Sequence, residues 1–138
     1  MPTCRYQELG HTAEIGLAVQ ADAPEHLFAC AAQGMFALLR TSSVPDAASV
    51  RHTVTLDALD GESLLVDWLS ELLYLYETTG AIFTDCTVTR WTPTHLEAQV
   101  VGRRPQTPPV VHIKAVTYHQ LQLVAGADGW SAQVFFDI

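Results

Sequence analysis

Two short stretches hold the residues most able to do chemistry. One is Gly10-His11-Thr12-Ala13-Glu14, just ahead of an apolar run, and the other is the closing segment Val134-Phe135-Phe136-Asp137-Ile138. If the loop and the chain end meet, the Glu14 and Asp137 side chains and the main-chain carboxylate of Ile138 converge. Three carboxylates cannot share a small volume unneutralised: one takes up a proton or a cation binds. An all-oxygen donor set favours a hard ion, Ca²⁺ or Mg²⁺, over Zn²⁺. If they do not meet, Glu14 is an ordinary solvated glutamate and the closing segment an ordinary last strand.

The remaining candidates are scattered. Lys114 is the only lysine, against six arginines. It reads as a solvated strand residue, or as a cation held near the carboxylates or offered to a partner. His119 shares the parity of Ile113, Ala115 and Leu121, which suggests a partly buried, hydrogen-bonded histidine. Cys4, Cys30 and Cys86 are odd in number, far apart and without a C-x-x-C pair, so neither a disulfide framework nor a zinc knuckle is expected. Three reduced cysteines in a cytoplasmic setting is the simplest expectation, with Cys30 as core packing on a helix. No G-x-S-x-G, P-loop, G-x-G-x-x-G or H-E-x-x-H is present.

The elements that must position these groups follow from hydrophobic period. Cys4–Leu9 and Ile15–Ala21 read as strands, the second alternating cleanly. Asp22-Ala23-Pro24-Glu25 reads as a helix start with Asp22 as cap, and Leu27, Phe28, Ala31, Ala32, Met35, Leu38 and Leu39 carry the helix to about Arg40. Val50–Ala58 is a strand with one wet face. A second helix runs from about Gly61 to Thr78 between an Asp60 cap and Gly80. Ile82–Trp91 and Leu96–Gly102 form a hairpin, and Val110–Val124 and Trp130–Ile138 another. A turn centred on Ala127–Asp128 sets Asp137 opposite Thr117 or Tyr118, and Ile138 beside Val116 or Thr117, within a slip of one or two residues. Thr41–Ser49 and Arg103–Pro109 are connectors. Strand runs without regular β-α alternation argue for the α+β class: two helices packed on a mostly antiparallel mixed sheet, in one compact domain over residues 1–138.

Composition bounds the function. A chain of 138 residues, 49% hydrophobic and 16% charged, is neither disordered nor in need of a disulfide staple. Its formal charge of −8 argues against autonomous nucleic-acid binding, which needs clustered cations. No apolar run approaches the ~20 residues of a membrane span, and the N-terminus lacks the basic and apolar regions of a signal peptide.

Four segments then match one family in order. His11-Thr-Ala-Glu14-Ile15, Ala31-Ala-Gln-Gly-Met-Phe36, Leu64-Leu-Val-Asp-Trp-Leu-Ser-Glu-Leu-Leu-Tyr74 and Lys114-Ala-Val-Thr-Tyr-His119, with the terminal Phe136-Asp-Ile138, resemble archease. The resemblance implies a small α+β cofactor of the GTP- and metal-dependent tRNA-splicing RNA ligase, which joins a 2′,3′-cyclic phosphate or 3′-phosphate end to a 5′-hydroxyl. It implies a non-enzymatic role in tRNA processing, promoting guanylylation of the ligase and its multiple turnover. It also implies a divalent-ion site at Glu14, Asp137 and the carboxylate of Ile138, with Ca²⁺ first and Mg²⁺ or Mn²⁺ as alternatives. Lys114 matches the family's activation lysine; His11 and His119 stand with it as partner-facing candidates. Two positions depart from the family pattern. Gly10 replaces an Asp, and Glu14 replaces another, moving the carboxylate outward by roughly 1.5 Å, one C–C bond. Ca²⁺ coordination absorbs such a change more readily than strict Mg²⁺ geometry. Two other readings stand beside this one: a small metal-dependent hydrolase or nucleotide-processing enzyme that uses the same carboxylates with His11 or His119 as base, and a general chaperone-like binding module. Against the enzyme, no nucleophile–base pair is legible.

Overall fold

In the computed structural model, residues 4–10, 13–41 and 48–138 are described. The expected elements form in the expected order: β1 (Cys4–Gly10), β2 (Glu14–Ala21), α1 (Pro24–Ala37), β3 (Ser49–Asp57), α2 (Gly61–Thr79), β4 (Ile82–Thr92), β5 (His95–Arg103), β6 (Ala115–Gly126) and β7 (Gly129–Asp137). The strands divide into two sheets, β1-β2-β7-β6 and β3-β5-β4. Every strand pair is antiparallel, so the sheet is divided and not mixed. The α+β class with two helices stands.

The core lies between sheets and helices. The alternation of β2 turns Ile15, Leu17, Val19 and Ala21 inward, where they meet Ala132, Val134 and Phe136 from β7. Helix α1 packs against β4 of one sheet and β2 and β1 of the other, and α2 covers β6 and β3. A helix used on two sides must be apolar on two sides, and Leu27, Phe28, Ala31, Ala32, Met35 and Phe36 are all buried. The Trp68 indole N–H donates to the Phe28 carbonyl at 2.8 Å and ties the two helices together. Burying one such side chain is worth about 1.5–3 kcal/mol, so this cluster is the main source of stability. At one end an aromatic chain joins the two sheets: Phe28 meets Trp91 at 5.7 Å between ring centroids, and Trp91 meets Trp130 at 5.4 Å.

Local signals were read correctly at α2 and less so at α1. Asp60 accepts from the Ser63 amide at 2.8 Å, and Gly80 takes the left-handed cap at φ 75° that a glycine accommodates without a Cβ clash. At α1 the N-cap is Ala23, not Asp22, and no side chain caps it. Asp22 instead contacts His26 Nδ1 at 2.7 Å. The helix ends at Ala37, short of Arg40, whose positive φ of 54° turns the chain away. The long strand expected from Val110 begins only at Ala115, because the Val110 amide leaves the sheet to donate to the Leu39 carbonyl at 2.9 Å.

Two expectations are corrected. Cys4 and Cys30 form a disulfide with a Cα–Cα distance of 5.4 Å; Cys86 alone is free. A separation of 26 residues hid the pair. The two meet because β1 folds back beside the face of α1 that carries Cys30. The second correction is the register of the last hairpin. Pairing runs regularly from Gly126↔Gly129 to Gln122↔Gln133, then residues 118–121 stand against Val134 alone before Thr117↔Phe135. Asp137 therefore lies opposite Ala115 instead of Thr117 or Tyr118. Gln120 makes the bulge by adopting φ 50°, and its carbonyl accepts from the Gln133 side chain at 3.0 Å.

Candidate functional site

Strand β2 begins at Glu14 and pairs there with Asp137 near the end of β7. Directly paired antiparallel residues carry their Cβ atoms ≈ 4.5–5.5 Å apart on the same face, so the two acidic side chains stand side by side. The chain end is tied down by its neighbours. The Ile138 amide donates to the Ala13 carbonyl at 3.4 Å, and the Lys114 amide donates to the Asp137 carbonyl at 2.8 Å. Glu14, Asp137, Ile138 and the backbone of Lys114 thus gather at one end of the four-stranded sheet. Glu14 and the chain end, whose meeting is conditional in the sequence, lie at the same sheet end.

The same face carries a hydrophobic plate. Glu14, Gly16, Phe135 and Asp137 alternate away from the inward residues Ile15 and Phe136. Phe135 is nonetheless buried, because its ring lies over Gly16, where a Cβ would come within 2.5 Å of Cε1. The ring also meets His119 in an edge-to-face arrangement, with centroids 5.8 Å apart. His119 stands on the β6 bulge, where its amide donates to Thr117 Oγ1 at 3.2 Å and Thr117 in turn donates to the Phe135 carbonyl at 3.0 Å. Its Nε2 lies 3.5 Å from Glu14 Oε1, with His119 half exposed and Glu14 largely covered. The core histidine expected from strand parity is therefore corrected. The bulge breaks the parity and turns His119 to the outer face, beside the carboxylates.

Lys114 lies just before β6 with its side chain exposed. His11 falls outside the described residues. Among the described residues, no group of three or more His, Cys, Asp and Glu side chains is arranged to hold a metal ion. Glu14 and Asp137, paired at the sheet end beside the last residue, offer oxygen donors, and oxygen donors suit a hard cation in kind. The Glu14–His119 contact escaped sequence reasoning, since only the positive φ of Gln120 creates it.

Other groups are poor candidates. Burial, reinforced by Asp85, pushes the Cys86 thiol up to about 12, which leaves it protonated and inert. An open cleft of about 380 Å³, lined by Arg5, Gln20, Asp128, Trp130 and Ser131, lies at the opposite end of the β2–β7 pair from Glu14. No helix of the described residues is long and apolar enough to cross a membrane.

Comparison with known proteins agrees with the fold. The solution structure of Methanobacterium thermoautotrophicum protein 1598 superposes with a TM-score of 0.68 at 22% identity, over 96% of this chain and 98% of that one. The crystal structure of an archease from Thermotoga maritima, described as a possible chaperone, gives 0.67 at 23% identity over 96% of both chains. At these identities the likeness shows the fold. In sequence, the archease proteins of Methanosarcina barkeri and Methanosarcina acetivorans are 38% and 39% identical over 141 residues, covering 97% of this chain and 96% of each relative. That of Pyrococcus abyssi is 31% identical over 97% of this chain and 99% of its own. The Archease protein family matches residues 6–138, and the chain belongs to that family.

Proposed function

We propose that this protein is a non-catalytic, cytoplasmic activator of the GTP-dependent tRNA-splicing RNA ligase. It promotes guanylylation of the ligase, and so its multiple turnover, by presenting a cation-bearing acidic tip. Glu14, Asp137 and the carboxylate of Ile138 hold the divalent ion, Ca²⁺ before Mg²⁺ or Mn²⁺. The bound ion supplies charge neutralisation and a fixed electrophilic point at that tip. The single observation that supports this reading most is the cross-strand pairing of Glu14 with Asp137, with the chain end laced to Ala13 and Lys114.

The residues divide the work. The β2–β7 ladder fixes the two carboxylates. Phe135, buried on the same face, packs against Gly16 and His119 beside them. The exposed ammonium of Lys114 is placed to meet an anionic group on the partner. The formal charge of −8 suits a partner that grips RNA and is therefore basic around its active site.

Ligation by the cognate ligase under single- and multiple-turnover conditions tests the assignment. Glu14→Ala, Asp137→Ala and Lys114→Ala should each abolish the stimulation of multiple turnover while folding normally; undiminished stimulation by all three would remove the site. The Glu14–His119 contact favours one competing reading, a small metal-dependent hydrolase with His119 as base. Chelator-sensitive GTP or phosphoester turnover by the protein alone would favour it.

A further inference from the structure

The Cys4–Cys30 bond joins two segments of very different character. Cys30 is 1% exposed in the middle of α1, whereas Cys4 is exposed at the start of β1. Strand β1 is an edge strand, hydrogen-bonded on one side only, to β2. It contributes little to the core: six of its seven residues are exposed, and Leu9 is half-buried. Its side-chain ties to α1 and the turn after it are few. They comprise the disulfide, the Tyr6 ring set against Gly34, and the ion pair of Glu8 with Arg40 at 2.9 Å. The ion pair is solvent-exposed, and such pairs contribute little. Gly10, the last residue of β1, pairs with Ile15, the neighbour of Glu14.

We propose that the Cys4–Cys30 disulfide is a thiol-reducible clasp that sets how firmly β1, and the backbone entering Glu14, is held to α1. The reductant is a dithiol. Its thiolate attacks the Sγ of Cys4, the exposed residue of the pair, the Cys4–Cys30 bond breaks, and Cys30 leaves as a thiolate that takes up a proton. The second thiol of the reductant then attacks the mixed disulfide and releases Cys4 as a thiol. Two electrons pass to the protein, and the dithiol ends as a disulfide. Cys86, protonated and half-buried on the other sheet, takes no part. In the oxidised state β1 is pinned at its first residue. In the reduced state it keeps its one-sided ladder, the Tyr6 ring against Gly34 and the exposed ion pair, none of them covalent, so it opens locally while the core persists. The cross-linked residues are 26 apart, a loop long enough for the bond to restrict opening substantially.

The proposal concerns backbone order and holds whether or not an ion binds at Glu14. Hydrogen exchange followed by mass spectrometry, before and after dithiothreitol, tests it. Thiol titration of the air-oxidised, denatured protein should find one thiol, Cys86, and three after reduction. Reduction should speed amide exchange in residues 4–10 by about tenfold or more, spread to residues 14–15, and leave α2 unchanged. Cys4→Ser should show the fast exchange without reductant and no further response to it. Should that variant not fold, the reduced native chain supplies the same comparison. Three thiols in the air-oxidised protein, unchanged exchange in β1, or a uniform rise across α2 as well would each overturn the clasp.

Discussion

Gly16 and Gly10 are six residues apart on the strands that frame the carboxylates, and the same substitution should have opposite effects at the two. At Gly16 an added Cβ would lie 2.5 Å from Phe135 Cε1, 2.8 Å from Cζ and 3.0 Å from the Leu9 Cβ. The Phe135 ring cannot retreat freely, because it is buried and already packs against His119 at 5.8 Å between centroids. Overpacking of this kind costs about 1–3 kcal/mol. For a chain of this size that is about 3–5 °C in Tm per kcal/mol. At Gly10 nothing among the described residues lies within 4 Å of the added Cβ, and φ is not positive there. Gly10→Ala should therefore stabilise by about 0.4–1 kcal/mol, through lost freedom in the unfolded chain. Urea unfolding of both variants at constant m-value reads the difference directly. The displaced ring should also push His119 from Glu14, visible as a shift of the His119 imidazole resonances in Gly16→Ala alone. Equal stability of the two variants, or a Gly16→Ala protein with an unmoved His119, would refute the stacking of Gly16, Phe135 and His119.

Two further predictions concern the scaffold. His95 is held between carboxylates, its Nδ1 2.7 Å from Asp57 and its Nε2 2.8 Å from Glu97, and the hydrogen bond to Asp57 first and to Glu97 second raise its pKa. A raised folded-state pKa means the bonds contribute fully below about pH 6.5, and that contribution fades as pH rises through the higher folded value. Urea midpoints should decline across that window in the native protein and flatten there in His95→Gln; parallel profiles would contradict the assignment. Trp68→Phe removes the 2.8 Å bond to the Phe28 carbonyl and leaves a gap between the helices. The loss should be about 2–4 kcal/mol, combining the hydrogen bond with the cavity, and a loss under about 1 kcal/mol in urea unfolding would argue against that inter-helix tie.

What could be read from the residues depended on whether the signal was local. Helix α2 was legible to its ends because Asp60, its apolar face and Gly80 are all neighbours in sequence. Helix α1 misled at its start because Asp22 has a competing partner one turn on, His26. The two-sheet division was not legible, since pairing partners such as Val54 and Ala98 are far apart along the chain. Glu14, Asp137 and Ile138 could be nominated by residue type, and the structure brings them to one sheet end. The placement of His119 could not be read, because one residue in a left-handed conformation, Gln120, reverses the face of everything between it and Thr117. The disulfide was missed for a related reason. An odd count of cysteines argues against a framework, yet says nothing about two that a folded edge strand sets 5.4 Å apart.

The proposed divalent ion at the end of the β2–β7 ladder would be held by Glu14, Asp137 and the carboxylate of Ile138. Calcium titration by calorimetry, on the native chain, on Asp137→Asn and on a chain extended by a few residues beyond Ile138, tests it most directly. One ion per chain for the native protein, with binding weakened at least about tenfold in both altered forms, is the expected result. Native-like calcium binding by both altered chains, or no binding by the native chain to Ca²⁺, Mg²⁺ or Mn²⁺, would contradict it.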